Sequence, residues 1–140
     1  MKKIIVAVIV LILVVILGFI FYRASAKPEP TIYKDLVFIS TPLAEEEITS
    51  PVVIKGEARG TWYFEATFPV VLVNWNGLII AEGYATAQND WMTEDFVPFE
   101  AVLEFEKPEY GERGAIILQK SNPSGLSEHD DALEQTIYFK

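Results

Sequence analysis

The chain has 140 residues, no cysteine and a formal net charge of −9. The absence of cysteine excludes a disulfide-stapled domain and, with no lipobox possible, a lipid-anchored lipoprotein. Three of the eleven basic residues (Lys2, Lys3, Arg23) flank the N-terminal apolar run, so eight face all twenty acidic residues from Lys27 onward, a balance of −12 that repels nucleic acid and anionic lipid headgroups.

Ile4 to Tyr22 is nineteen residues without a charge, most of them Ile, Val, Leu or Phe. As a helix it spans about 28 Å, close to the hydrocarbon thickness of a bilayer. Lys2 and Lys3 precede it, and the positive-inside rule then keeps the N-terminus in the cytoplasm and sends the rest out. Residues 1–23 thus read as a cytoplasmic tip and single-pass transmembrane anchor. The competing reading is a cleaved signal peptide, since Ala24-Ser25-Ala26 is an A-x-A site. The run exceeds the usual h-region of about 7–15 residues, and Arg23 separates it from that site, which favours the anchor. Under either reading the following domain is expected outside the cytoplasm.

Residues 24–34, with Lys27-Pro28-Glu29-Pro30, read as an extended stalk. The rest, 35–140, is the right size for one domain. Asp35 to Ser40 opens it as a short strand, and Thr41 to Pro51 is a turn-rich acidic stretch. Val52 to Arg59 alternates, with Val52, Ile54, Gly56 and Ala58 on one face and Lys55, Glu57 and Arg59 on the other. Phe68 to Trp75 is apolar at nearly every position, as in a central strand packed on both sides. Asn76-Gly77 follows, a hairpin signal expected to form a type I′ turn with positive φ at both residues. Trp75, just before that turn, is expected to cover a sheet face. Leu78 to Ala87 is the returning strand, with Gly83 as a candidate bulge. Phe99, Ala101, Leu103 and Phe105 alternate against Glu100, Val102, Glu104 and Glu106. Ala115 to Lys120 and Thr136 to Lys140 are the last strands. Ser127 to Leu133 is a possible helical turn, with Ser127 and Asp130 spaced as a capping box. About seven short strands separated by Gly, Pro, Asn and Asp turns predict an all-β, antiparallel sandwich.

Three motifs narrow this further: Gly56-Glu-Ala-Arg-Gly-Thr-Trp-Tyr-Phe-Glu-Ala-Thr-Phe-Pro-Val70, Ala87-Gln-Asn-Asp-Trp-Met-Thr-Glu-Asp-Phe-Val-Pro-Phe99 and Asn122-Pro-Ser-Gly125. In this order they resemble the bacterial spore-germination immunoglobulin-like domain, a family found beside the germination protein M domain and in other exported bacterial proteins. The resemblance spans about Ile48 to Phe139. It implies an immunoglobulin-like sandwich and a bacterial cell-surface setting, and it carries no catalytic residue set. One departure is Asn89, where Gly is expected before Asp90-Trp91; Asn tolerates a left-handed backbone better than most residues.

Candidate chemistry is sparse. The one histidine, His129, lies in Glu128-His129-Asp130-Asp131 between strands, and there is no Gly-x-Ser-x-Gly elbow. Glu65, Asp90, Glu94 and Asp95 surround aromatics, but glycoside hydrolysis needs a set carboxyl separation that sequence does not supply. Asn89, Asp90, Glu94 and Asp95, or Glu128, Asp130 and Asp131, offer oxygens for calcium without EF-hand spacing; turn capping and solubility account for them equally. Trp62, Tyr63 and Trp91 sit beside Gly, Thr and Asp, so they either plug the sandwich core or form a stacking platform. The Asn122 to Leu126 loop, held by Pro and Gly, would complete such a binding face.

The expectation is a non-catalytic binding or scaffolding module of the bacterial envelope, without cofactor or metal, held by the membrane through Ile4 to Tyr22. Its partner would be an envelope protein or a glycan, not nucleic acid. The alternative is a carbohydrate- or peptidoglycan-binding module, which requires Trp62, Tyr63 and Trp91 to be exposed.

Overall fold

A computed structural model describes residues 1–24 and 29–140; Ser25-Ala26 of the candidate cleavage site and Lys27-Pro28 of the stalk lie outside the described residues. Helix α1 covers Lys2–Ala24. Its window Lys3–Ile20 is long and apolar enough to cross a membrane and is not buried by the rest of the chain.

Eight strands follow: β1 (Val37–Thr41), β2 (Glu47–Ile48), β3 (Val52–Arg59), β4 (Thr67–Asn74), β5 (Ile79–Ala87), β6 (Phe96–Leu103), β7 (Arg113–Gln119) and β8 (Ala132–Phe139). They form one curled sheet in the order β1-β3-β6-β5-β4-β7-β8-β2. β5 and β6 pair only at Thr86–Glu100 and Ala87–Phe99. At that corner the sheet folds over, giving layers β1-β3-β6 and β5-β4-β7-β8-β2. The layers meet through side chains of alternating positions, as when the rings of Phe68 and Phe99 cross edge to face at 5.0 Å. Ile54, Phe68, Val70, Leu72, Ile116, Leu118 and Ile137 are fully buried in that core.

Alternation places most strands as expected. Val52, Ile54, Gly56 and Ala58 face inward, paired with Leu103, Ala101, Phe99 and Val97. Glycine at 83 serves interlayer packing and not a bulge: a Cβ there would lie 2.8 Å from Leu103 Cδ2. The β4–β5 register slips instead between Leu72 and Val73, opposite Ala81 and Ile79.

Four further expectations change. The acidic stretch contains an eighth strand, the two-residue β2, which pairs with β8 in parallel. The β4–β5 hairpin turns through Trp75, Asn76 and Gly77, and of these only Gly77 has positive φ (77°). Asn74 and Leu78 close it (Asn74 N–H to Leu78 O, 3.0 Å), and Asn74 Oδ1 accepts from the N–H groups of Asn76 and Leu78 at 3.0 Å each. That is a three-residue hairpin and not a type I′ turn. Asn89 likewise needs no left-handed backbone, as it is absent from the positive-φ residues. The Ser127-Asp130 capping box does not form: only Ser127–His129 makes a 3₁₀ turn, without a side-chain cap, and β8 already begins at Ala132.

Strand β4 is central in its layer, yet only one of its faces meets the other layer. Val71 and Val73, with Ala115, are covered on the outer face by neighbouring side chains and form a small apolar cluster of their own with Ile117.

Candidate functional site

The chain enters the sandwich at the end where β3 stops, β4 starts, β5 passes to β6 and β7 passes to β8. All five candidate binding residues lie at this end. There a 3₁₀ turn, Gly60–Trp62, swings the chain across the open core. A Cβ at position 60 would come within 1.8 Å of Thr93 O and 2.3 Å of Trp91 O, so only glycine lets the 91–93 backbone lie against the turn.

That closure takes Trp62 and Tyr63 inside. Trp62 is 1% exposed and Tyr63 4%. The Trp62 indole meets the Tyr33 ring edge-on at 6.5 Å, and its Nε1 finds no hydrogen-bond partner. Tyr63 donates its hydroxyl to Val97 O at 2.7 Å, and burial pushes its phenol pKa well above the usual value, with Glu57 adding a smaller push. The exposed strip of Trp62, Tyr63 and Trp91 therefore does not exist. Trp91 is half-buried and packs on the same core.

The Asn122 to Leu126 loop is rigid for its own reasons. Asn122 Nδ2 donates to Leu126 O (2.8 Å) and to Asp130 Oδ1 (2.7 Å), while Ser124 Oγ donates to Asn122 Oδ1 (2.5 Å). Ser121 ties the loop to the core wall, N–H to Trp62 O at 3.0 Å and Oγ to Thr67 O at 2.9 Å. Asn122 is thus a loop clamp, and of the five candidates Leu126 alone is exposed.

Between Phe64 and Thr67 the chain reverses through Glu65 (φ 51°) and Ala66 (φ 63°), with reciprocal backbone bonds of 3.0 and 3.1 Å. Both are left-handed without being glycine or asparagine, which costs about 1 kcal/mol or more per residue.

Several aspartates at this end are occupied locally. Asp131 Oδ1 accepts from Tyr33 Oη (2.9 Å), Lys34 Nζ (3.0 Å) and Ala132 N–H (3.0 Å). Partial burial pushes the Asp131 carboxyl up, but the bonds from Lys34, Tyr33 and Ala132 together hold it below the ordinary value. Asp90 Oδ1 accepts from Met92 N–H at 3.1 Å, and Thr93 Oγ1 donates to Asp95 Oδ2 at 3.4 Å. Glu65, Asp90, Glu94 and Asp95 are exposed and line no common cleft. His129 is exposed, 3.9 Å from the Glu128 carboxylate. Among the described residues no three His, Asp or Glu side chains converge as a metal set.

The opposite end carries what sequence reasoning missed. Trp75 stands in the hairpin loop at the rim of the outer sheet face, 63% exposed, with Leu78 at 65% and Ile79 at 54%. The Arg113 guanidinium sits 5.4 Å from the Trp75 ring centre. Beside Trp75 is a hollow of about 200 Å³ lined in part by Val73, Ala115, Arg113, Glu134 and Thr136.

The sandwich, its glycine-closed end and its loop chemistry agree with a family comparison: residues 36–127 match the model for the immunoglobulin-like domain of bacterial spore germination. The chain belongs to that family. No curated protein and no solved structure gave a match. In this germination-type immunoglobulin-like domain the matched segment begins ahead of β1 and stops at Ser127, so β8, which completes the layer beside β7, lies beyond it. The three motifs that carried the resemblance fall within the match, and they are packing motifs here. The Gly60-Thr-Trp-Tyr run and the Asp90-Trp91 turn plug one end of the sandwich, and the Asn122-Pro-Ser-Gly125 loop clips over it.

Proposed function

We propose that this protein is a membrane-anchored, extracytoplasmic immunoglobulin-like module of the bacterial envelope that binds or scaffolds a partner without catalysis. The observation that carries the reading is α1: its apolar window Lys3–Ile20 stays uncovered by the domain. In water each exposed Leu, Ile or Val there forgoes about 1.5–3 kcal/mol of burial, and a bilayer supplies that burial. Lys2 and Lys3 ahead of the helix support a cytoplasmic N-terminus. The carboxylates engaged in turns and the family's immunoglobulin-like character support a binding role over an enzymatic one. A glycan platform at Trp62, Tyr63 and Trp91 loses its support, because two of the three rings are buried.

Membrane retention and topology test the reading. Full-length protein is expected to stay with membranes through carbonate washing. Protease added outside the cell is expected to reach the domain and not the N-terminus. A soluble exported form beginning at Lys27 would overturn the anchor in favour of a signal peptide.

A further inference from the structure

The end of the sandwich opposite Trp62 carries exposed apolar side chains, Trp75, Leu78, Ile79 and Tyr110, beside a hollow in the outer face of the sheet. By register, Val71 pairs with Glu82 and Ile117, and Ile117 pairs with Glu134, so these four side chains lie in one row on the outer face. Val73 and Ala115 make the next row, which runs into the hollow beside Trp75. Trp75, Leu78 and Ile79 extend it past the sheet edge. The turn before β7 abuts it, a Cβ on Gly111 falling 3.5 Å from Trp75 Cβ, and Tyr110 there is 84% exposed.

We propose that this surface docks a partner protein through a basic, apolar, extended segment. Aliphatic side chains of that segment pack on Trp75, Leu78 and Ile79, and its lysines or arginines meet Glu82 and Glu134. This rests on the anchored-module reading above. Charge complementarity selects the occupant: Glu82 and Glu134 flank the apolar row, neither forms an ion pair among the described residues, and Glu109 and Glu112 lie in the adjacent turn. A rim of that sign attracts basic groups and speeds their encounter. A second copy of this chain would bring two acidic rims together. A glycan fits less well, since Arg113 is stacked near the Trp75 ring and aliphatic Leu78 and Ile79 offer a sugar no hydrogen bonds.

The test uses full-length protein in zwitterionic phosphatidylcholine nanodiscs, titrated with two labelled peptides, one alternating Leu with Lys and the other alternating Leu with Glu. The Lys peptide is expected to bind at least about tenfold more tightly and to weaken with added salt. Trp75→Ala is expected to weaken it by about tenfold or more, as is Leu78→Asp, which keeps the test open if the first variant melts early. The pair Glu82→Gln and Glu134→Gln is expected to erase the preference for the basic peptide. Equal binding of both peptides overturns the proposal. So does binding indifferent to both tip variants, or a chitooligosaccharide or self-association that Trp75→Ala abolishes. Release from membranes with the peptide preference intact overturns the anchor alone; retention without the preference overturns this docking site alone.

Discussion

Trp62 and Tyr63 are neighbours in the chain and are buried at different polar cost. Tyr63 satisfies its hydroxyl on Val97 O, whereas the Trp62 Nε1–H is buried without a partner, a loss of about 1–3 kcal/mol that the area of the indole must offset. Trp62→Ala should therefore destabilise the domain by about 3–5 kcal/mol, and Tyr63→Phe by about 0.5–1.5 kcal/mol, the net worth of one buried hydrogen bond; urea unfolding measures both. A loss below about 1 kcal/mol for Trp62→Ala would mean the indole is a surface group after all. Asp131 gives a pH dependence. Its carboxyl is held below its ordinary value in the folded state, so its contribution is complete above the unfolded pKa of about 4 and is lost as pH falls through the lower folded value. Other carboxylates titrate in the same window, so the useful quantity is the difference between wild type and Asp131→Asn. That difference should be constant from neutral pH down to about 5 and shrink below about 4. A difference that persists at acid pH would show that the bonds from Tyr33 and Lys34 do not depend on charge. The core-plug role of Trp62 and Tyr63 was one of two readings the sequence left open, and the partners at Val97 and Asp131 were not legible, because they depend on which loop folds over a residue.

Among the elements, turns diverged most from their sequence signals. Asn76-Gly77 does mark the β4–β5 hairpin, but the loop takes in Trp75 and only Gly77 turns left-handed. Paired left-handed residues sit instead at Lys34-Asp35 and at Glu65-Ala66, the latter with no turn signal. The tight connection from the Gly60–Trp62 turn into β4 imposes that conformation against local preference. Replacing Glu65-Ala66 with Asn-Gly should raise stability by about 1 kcal/mol, since those residues adopt positive φ at lower cost. Thermal melting decides it, and a lower Tm would mean that the present turn is not strained. Strands were legible wherever one face is buried, as in β3 and β6, because the period of two is written in the residues themselves. β2 was not, since two residues in an acidic stretch carry no period. β4 is buried on both faces, as its apolarity implied, but Val71 and Val73 are covered by neighbours on their own sheet and not by a second layer.

At the scale of the whole molecule, the helix and the sandwich bury nothing of the window Lys3–Ile20 between them. Residues 27–140 alone should then fold with the Tm of the full-length protein in detergent, with circular dichroism dominated by strand. An unfolded fragment would show that α1 contributes to the core. Leu72→Ala, at a position with no exposure, should cost about 2–5 kcal/mol in that fragment. Phe105, beyond the end of β6 and half-buried on Phe139 at 5.5 Å, should cost less. The sequence by itself determined the anchor-like helix, the all-β class, the family and most strand faces, because uninterrupted apolarity, alternation and three spaced motifs are local properties of the chain. Only the tertiary structure decided which aromatics are available to a partner. Trp62 and Tyr63 are drawn under the Trp91–Thr93 backbone by a glycine contact 31 residues or more away in sequence, while Trp75 is left at a tip with no second layer to cover it. Exposure is set by contacts between segments distant in the chain, and neither composition nor spacing records those.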